Sequence, residues 1–300
     1  MLKFLKQWTL PIAMTVGAVG WKYIGQLSAI SPILIFVMLL LTFNKLSIKE
    51  LHLQWQHLWL LLIEIGGAVA LFFIMKPIDI VAAEAVMVCM ICPTATAAAV
   101  VTGRLGGSVA SITTYTLLCN LAVAVAVPVL FPILAPQAGH ASFTNAFWTI
   151  IQKIFPLLIC PFLLAQIMRR LTPRLSLKMA GISGLAFYLW AVALTIAMGI
   201  TVKSLIETEV ATSTLIWMCL GAAVAAIIQF GLGKLIGIRY NDTIASGQSL
   251  GQKNTILAIW MCHTYLNPLS SIGPGLYIIY QNLFNSWQLY RKEQEKRCVE

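Results

Sequence analysis

Lys253 sits in the segment NDTIASGQSLGQKNTILAIWMC, where Gly247, Gln248, Ser249, Gly251, Gln252, Lys253, Asn254 and Thr255 form a polar patch inside an otherwise apolar run. An ammonium held in apolar surroundings costs roughly 2.5–3.5 kcal/mol on insertion scales, so such a residue faces a cavity, a partner or a function. Its ammonium can serve as a built-in positive charge holding the segment in place, pair with an anionic solute, give up its proton during a working cycle, snorkel to the interface or pair statically with Glu64. Glu64 is the one acid deep within LLLIEIGGAVALFF. It is either a proton carrier, a counter-charge to Lys253, or a core carboxyl kept neutral by burial. A second constellation surrounds Pro93 in VCMICPTATAAAV, with Thr94 and Thr96 beside it and Thr116 further along the chain. Cys89 and Cys92 share a helical face. A redox or zinc role would need further ligands, and small-residue packing is the reading adopted. No spacing of His140, His263 or the cysteines supports a metal site. There is neither a phosphate-cradling glycine loop nor a nucleophile elbow, so no cofactor and no enzymatic activity are expected.

The elements that must position these residues follow from composition. Of 300 residues, 59% are hydrophobic and 10% charged, with a mean hydropathy of +0.86. Soluble domains carry about a quarter of their residues as charges, so this composition describes a chain whose partner is the lipid bilayer. Long apolar runs favour helices over the ten-residue alternation of a porin-type barrel. The net charge of +10 comes from Lys and Arg lying between apolar runs rather than in a basic stripe, which argues against nucleic acid. The seven cysteines, six of them within apolar segments, do not form a disulfide framework. The basic, apolar start reads as a retained first helix.

Apolar segments fall at about 9–24, 28–43, 57–75, 79–103, 107–135, 143–168, 181–203, 211–236, 241–266 and 271–290, each near the roughly 20 residues that span a bilayer. With ten spans, one side collects fifteen Lys and Arg and the other only Lys22, Lys76 and Lys203; Lys153 and Lys253 lie inside spans. Cytoplasmic loops collect basic residues, so both termini are expected in the cytoplasm and the chain in the plasma (inner) membrane. The loop at 136–145 has no Lys or Arg and divides the chain into a first repeat, 1–136, and a second, 143–290, before a charged tail, 291–300. Five spans per half force opposite orientations, which gives an inverted repeat. Pro93 must kink or break the fourth span, and the polar patch around Lys253 weakens the ninth. Both are the fourth of their halves. Interrupted helices at matching places point to a midplane site, where freed backbone groups hold a solute or ion.

Cys92-Pro93-Thr94-Ala95-Thr96-Ala97-Ala98-Ala99 resembles the Cys-Pro-Gly-Gly-Thr-Ala-Ser-Asn stretch of the bile acid:sodium symporter family, in a superfamily that includes auxin-efflux-type carriers. Ser249-Leu250-Gly251-Gln252-Lys253-Asn254-Thr255-Ile256-Leu257-Ala258 is similar to that family's Glu-x-Gly-x-Gln-Asn-x-x-Leu-Ala stretch. The resemblance implies a panel domain from spans 1, 2, 6 and 7 and a core domain from spans 3–5 and 8–10, with the two broken helices crossing in the core. It also implies sodium ligands at positions that here carry Ala98, Ala99, Ser249 and Lys253. Two methyl groups supply no oxygen and an ammonium repels a cation, so sodium coupling is not expected. Thr96, Thr116 and Asn254 remain as polar contacts.

The expectation is therefore an alternating-access carrier or facilitator of a small organic anion, proton-linked or uniport. Its binding or coupling residues would be Pro93, Thr94, Thr96, Thr116, Gln248, Ser249, Gln252, Lys253, Asn254, Thr255 and Glu64. A ten-helix drug/metabolite-type exporter, which needs no paired broken helices, and a non-transporting membrane enzyme or sensor are the alternatives.

Overall fold

The structure, a computed structural model, describes residues 2–44, 46, 51–135, 142–181 and 183–297. His140, most of the loop at 136–145, Lys45, Lys49 and the end of the charged tail lie outside the described residues. In chain order the helices are α1 (Leu2–Val19), α2 (Trp21–Ile24), α3 (Ser31–Phe43), α4 (Trp55–Met75), α5 (Ile80–Ile91), α6 (Ala98–Leu105) and α7 (Val109–Leu134). They continue with α8 (Phe143–Leu171), α9 (Pro173–Gly181), α10 (Ser183–Glu207), α11 (Thr212–Arg239), α12 (Thr243–Gly251), α13 (Thr255–Tyr265) and α14 (Ile272–Arg297). Among the described residues there is no strand. In lipid every backbone N–H and C=O must find its partner within the protein, and the helix achieves this locally.

Among the described residues, six stretches are long and apolar enough to cross a membrane: Trp21–Phe43, Trp55–Met75, Val109–Leu134, Phe143–Leu171, Tyr188–Glu207 and Thr212–Arg239. Their outward faces carry large apolar side chains such as Ile33, Leu62, Phe73 and Ile227. A water-soluble protein would not leave so much of this surface uncovered. The chain is thus an all-helical, membrane-embedded protein.

The expected segment boundaries need adjustment in places. The first segment, expected at 9–24, ends at Val19, because Gly20 separates α1 from α2, and the run from Trp21 continues through a 3-10 stretch, Gly25–Ile30, into α3. The expected fourth and ninth segments are each two short helices, α5 with α6 and α12 with α13. The expected tenth, α14, carries Gln281, Asn282, Asn285 and Gln288 among its apolar residues.

Packing brings α1 against α10, α3 against α8 and α10, and α5 against α4 and α11. Helix α11 also lies along α12, where Gly233 and Gly237 allow unusually close approach. A Cβ at Gly233 would stand 2.5 Å from the Ser246 carbonyl oxygen, and one at Gly237 would stand 2.6 Å from that of Asp242. The starts of α4, α7 and α12 are tied together. Gln56 Nε2 donates to Asp242 Oδ2 at 2.9 Å and to Ser111 Oγ at 3.1 Å, and His57 Nε2 lies 3.0 Å from Ser111 Oγ. These ties fix the helices that bring Glu64 and Lys253 together.

Candidate functional site

The first break begins at Cys92, whose φ of −60° and ψ of 135° are extended. The residue before a proline is pushed out of the helical region, so Pro93 ends α5 through its neighbour as well as through its missing N–H. The chain regains helical winding at Ala98. The second break begins at Gln252 (φ −98°, ψ 92°), and Asn254 caps the restart, its Oδ1 accepting from Leu257 N at 3.3 Å.

The two unwound stretches satisfy one another. Asn254 N donates to the Pro93 carbonyl and Ala95 N to the Gln252 carbonyl, both at 2.8 Å, so Thr94 and Lys253 face each other as a one-rung antiparallel bridge. The Thr94 hydroxyl donates to the Ser249 carbonyl at 2.6 Å, the Cys92 thiol to the Asn254 carbonyl at 2.9 Å, and Tyr277 Oη to the Gly251 carbonyl at 2.9 Å. Lys253 N donates to Gln281 Oε1 at 3.0 Å. Backbone groups that a broken helix would expose to an apolar medium are thereby paired, which is what keeps both breaks in place.

The Lys253 side chain runs from this bridge to α4, where Nζ lies 3.0 Å from Glu64 Oε1, with the two side chains 1% and 0% exposed. Glu64 also accepts from the Tyr115 hydroxyl through Oε2 and from the Cys119 thiol, 3.1 Å from Oε1. Both donors belong to α7. One carboxylate therefore joins α4, α7 and the second break. Of the readings open to Lys253 and Glu64, the geometry is that of a charge and its counter-charge.

Most of the remaining expected residues are buried and engaged. Gln248 Nε2 donates to Asn285 Oδ1 at 2.8 Å, and Thr116 bonds back to the Ile112 carbonyl of its own helix at 2.8 Å. Pro93, Ser249, Gln252 and Thr255 are buried, Thr96 half-buried. Thr116 is thus occupied within α7 rather than aimed at the bridge. The side-chain oxygens of Gln248 and Gln252 are buried acceptors that meet no donor among the described residues. Cys89 and Cys92 are buried free thiols. Asp79 caps α5, its Oδ1 accepting from Val81 N and Ala82 N at 2.9 Å; Glu84 is buried and accepts from Asn267 N at 3.0 Å. Trp55, Trp59, Trp148, Trp217 and Tyr290, near the ends of their helices, are all exposed, as aromatic anchors at a membrane interface are.

Sequence reasoning did not single out Tyr277, Gln281 and Asn285, which recur every fourth residue on one face of α14 and hold Gly251, Lys253 and Gln248. That spacing is a readable signal for a polar stripe. Tyr115 and Cys119, also four apart, were missed on α7.

Lys153 stands apart from this site, in a cleft of about 460 Å³ lined by Pro32, Ile33 and Phe36 of α3, Lys153, Pro156 and Leu157 of α8, and Trp260 of α13.

No protein-family model matches the chain, and a search of curated proteins returns no relative.

Proposed function

We propose that the chain is a secondary carrier or facilitator of a small organic anion in the plasma (inner) membrane, built from ten spans in two inverted five-helix halves and working by alternating access without sodium. The reading rests on one observation: two helices lose their winding and pair backbone to backbone through Pro93–Ala95 and Gln252–Asn254. Two pairs of half-helices meeting at the bridge provide helix ends and non-helical peptide groups, which continuous helices lack. Helices α1 and α3 pack mainly on α8 and α10, and α4 and α5 mainly on one another and on α11, which supports a panel moving against a core; α8 along α7 and α10 against α13 and α14 are contacts between the two groups.

The absence of sodium coupling follows from charge. A carrier that binds a cation in its crossover must release it in every cycle. Here the crossover holds its own ammonium, covalently attached and paired with Glu64. A second cation beside it would meet like-charge repulsion in a medium that screens poorly. An enzymatic reading gains little from the contact between His57 and Ser111. His57 Nδ1 accepts from Gln54 N at 3.2 Å, so the neutral ring carries its proton on Nε2 and donates to Ser111. In that tautomer the nitrogen facing Ser111 has no lone pair with which to take the hydroxyl proton, and the lone pair on Nδ1 is engaged by Gln54 N.

The deciding measurement is uptake of a panel of small carboxylates and sterol acids into proteoliposomes, with and without a sodium gradient and with an imposed pH gradient. Accumulation of at least one anion, equal in sodium and in choline buffer, is expected, and the pH arm separates proton-linked movement from uniport. A requirement for a sodium gradient would overturn the assignment of Lys253, and no flux of any anion would overturn the carrier.

A further inference from the structure

We infer that the ends of α11 and α14 form a binding site for the phosphodiester headgroup of an anionic phospholipid. Two cations meet there on aromatic rings. Lys234 Nζ lies 5.1 Å from the centre of the Phe284 ring and 5.9 Å from that of Trp287, and the Arg291 guanidinium lies 5.8 Å from the same Trp287 ring. A ring face attracts each cation but leaves its charge in place. Neither Lys234 nor Arg291 forms a salt bridge with a described carboxylate. The acids of these helix ends are placed otherwise: Glu295 lies 3.8 Å from Lys292, Asp242 accepts from Gln56, and Glu293 forms no salt bridge with either cation. Two uncompensated positive charges around one indole make a seat for an anion.

The surroundings select a phospholipid over a free anion. Leu283, Trp287 and Arg291 recur every fourth residue and are all exposed, so one outward stripe of α14 runs from apolar through amphipathic to charged. A bilayer presents the same order from acyl chain to headgroup. On α11, Leu235 and Ile238 near Lys234 are likewise exposed and offer apolar surface to acyl chains. The guanidinium fork matches two phosphate oxygens, and the ammonium adds a point charge. A choline or ethanolamine group would bring its own cation against these two, so the preferred headgroup carries a net negative charge.

Lys234 also ties the site to the second break. Its stem crosses Gly247 of α12, where a Cβ would stand 2.8 Å from Lys234 Cγ. Phe284 stacks on Phe230 with ring centres 4.3 Å apart, and the Phe230 ring covers Gly251, the last residue of α12. A headgroup on Lys234 and Arg291 therefore sits at the outer end of a stack that reaches the unwound stretch. The site requires only that the chain lies in a membrane, so it stands or falls apart from transport.

The test is native mass spectrometry of the purified full chain, released from detergent with dioleoyl phosphatidylglycerol or dioleoyl phosphatidylcholine at matched concentration. Retention of the first phosphatidylglycerol should exceed that of phosphatidylcholine about fivefold or more. Lys234→Gln with Arg291→Gln should abolish that excess and leave phosphatidylcholine retention unchanged; Lys234→Arg should keep it. Arg291 is exposed, so Arg291→Gln alone keeps the fold, and it should cut the excess about threefold. Arg170 and Arg174 are exposed at the junction of α8 and α9; Arg170→Gln with Arg174→Gln removes the same charge there and should leave the excess intact, which separates a site from overall charge. The inference is overturned if the parent shows a smaller excess, if Arg291→Gln or the Lys234 and Arg291 pair leaves it unchanged, or if the Arg170 and Arg174 pair abolishes it as well. Glycerol 3-phosphate separates the two sources of the anion: its displacing phosphatidylglycerol at millimolar concentration would make this a site for soluble phosphates and overturn the lipid assignment.

Discussion

Glu64 and Lys253 are worth most as a pair. Each alone would be a buried charge, and removing one partner of such a pair typically costs about 3–5 kcal/mol, whereas replacing both by neutral groups is often nearly neutral. The single variants Glu64→Gln and Lys253→Met are therefore expected to lower the thermal midpoint of the purified protein strongly, and the double variant to recover most of the loss. Singles that melt with the parent would show that the contact of 3.0 Å contributes nothing. At this scale the sequence was informative about which residues matter and silent about how they are satisfied. A lone lysine and a lone glutamate in apolar runs advertise themselves by type, and their pairing was among the alternatives. Tyr115 and Cys119, which complete the carboxylate's shell, look like ordinary residues of an apolar helix, because hydrogen-bond donors of moderate polarity leave no mark in hydropathy.

Between elements, the fit of α11 against α12 decides whether the second break stays where it is. At Gly233 the nearest neighbours of an added Cβ are backbone atoms, the Ser246 oxygen at 2.5 Å and Gly247 Cα at 2.9 Å, which cannot rotate away as a side chain would. Gly233→Ala should thus force the helices apart and destabilise by about 1–3 kcal/mol. Gly231, in the same helix, has nothing within 4 Å. Gly231→Ala should be neutral or stabilise by about 0.5–1 kcal/mol through helix propensity alone. Denaturation of the two variants side by side in detergent checks this, and equal losses would remove the close approach as a determinant. Both breaks were legible, one from Pro93 and the other from the polar run at 247–255. Their backbone pairing was not, since main-chain donors and acceptors are common to all sequences and only the fold selects which of them meet.

At the scale of the whole molecule the open quantity is the number of crossings. Helices α5 and α6 have twelve and eight residues, and α12 and α13 have nine and eleven. At about 1.5 Å per residue no one of them covers the roughly 30 Å of hydrocarbon, but the twenty helical residues of each pair do when the break sits at mid-depth. The two pairs account for two of the four crossings by which the count from charge exceeds the six stretches that length and hydropathy pick out among the described residues; α1 and α14 are the other two. The two counts place particular residues on different sides. If α12 and α13 cross together, Arg239, at the end of α11, and Pro268, beyond α13, face opposite aqueous phases; with only the six stretches crossing, they share one. Arg239, Pro268, Thr172 and Thr208 are all exposed, so each can carry a cysteine. With an impermeant maleimide, Thr208→Cys and Pro268→Cys should be labelled in right-side-out vesicles, and Thr172→Cys and Arg239→Cys only in inverted ones, since basic loops stay in the cytoplasm. Labelling of Arg239→Cys and Pro268→Cys from the same side would remove the ninth crossing. The mirror relation between the halves would go with it, and so would the reason for placing a moving crossover at the bridge between Thr94 and Lys253.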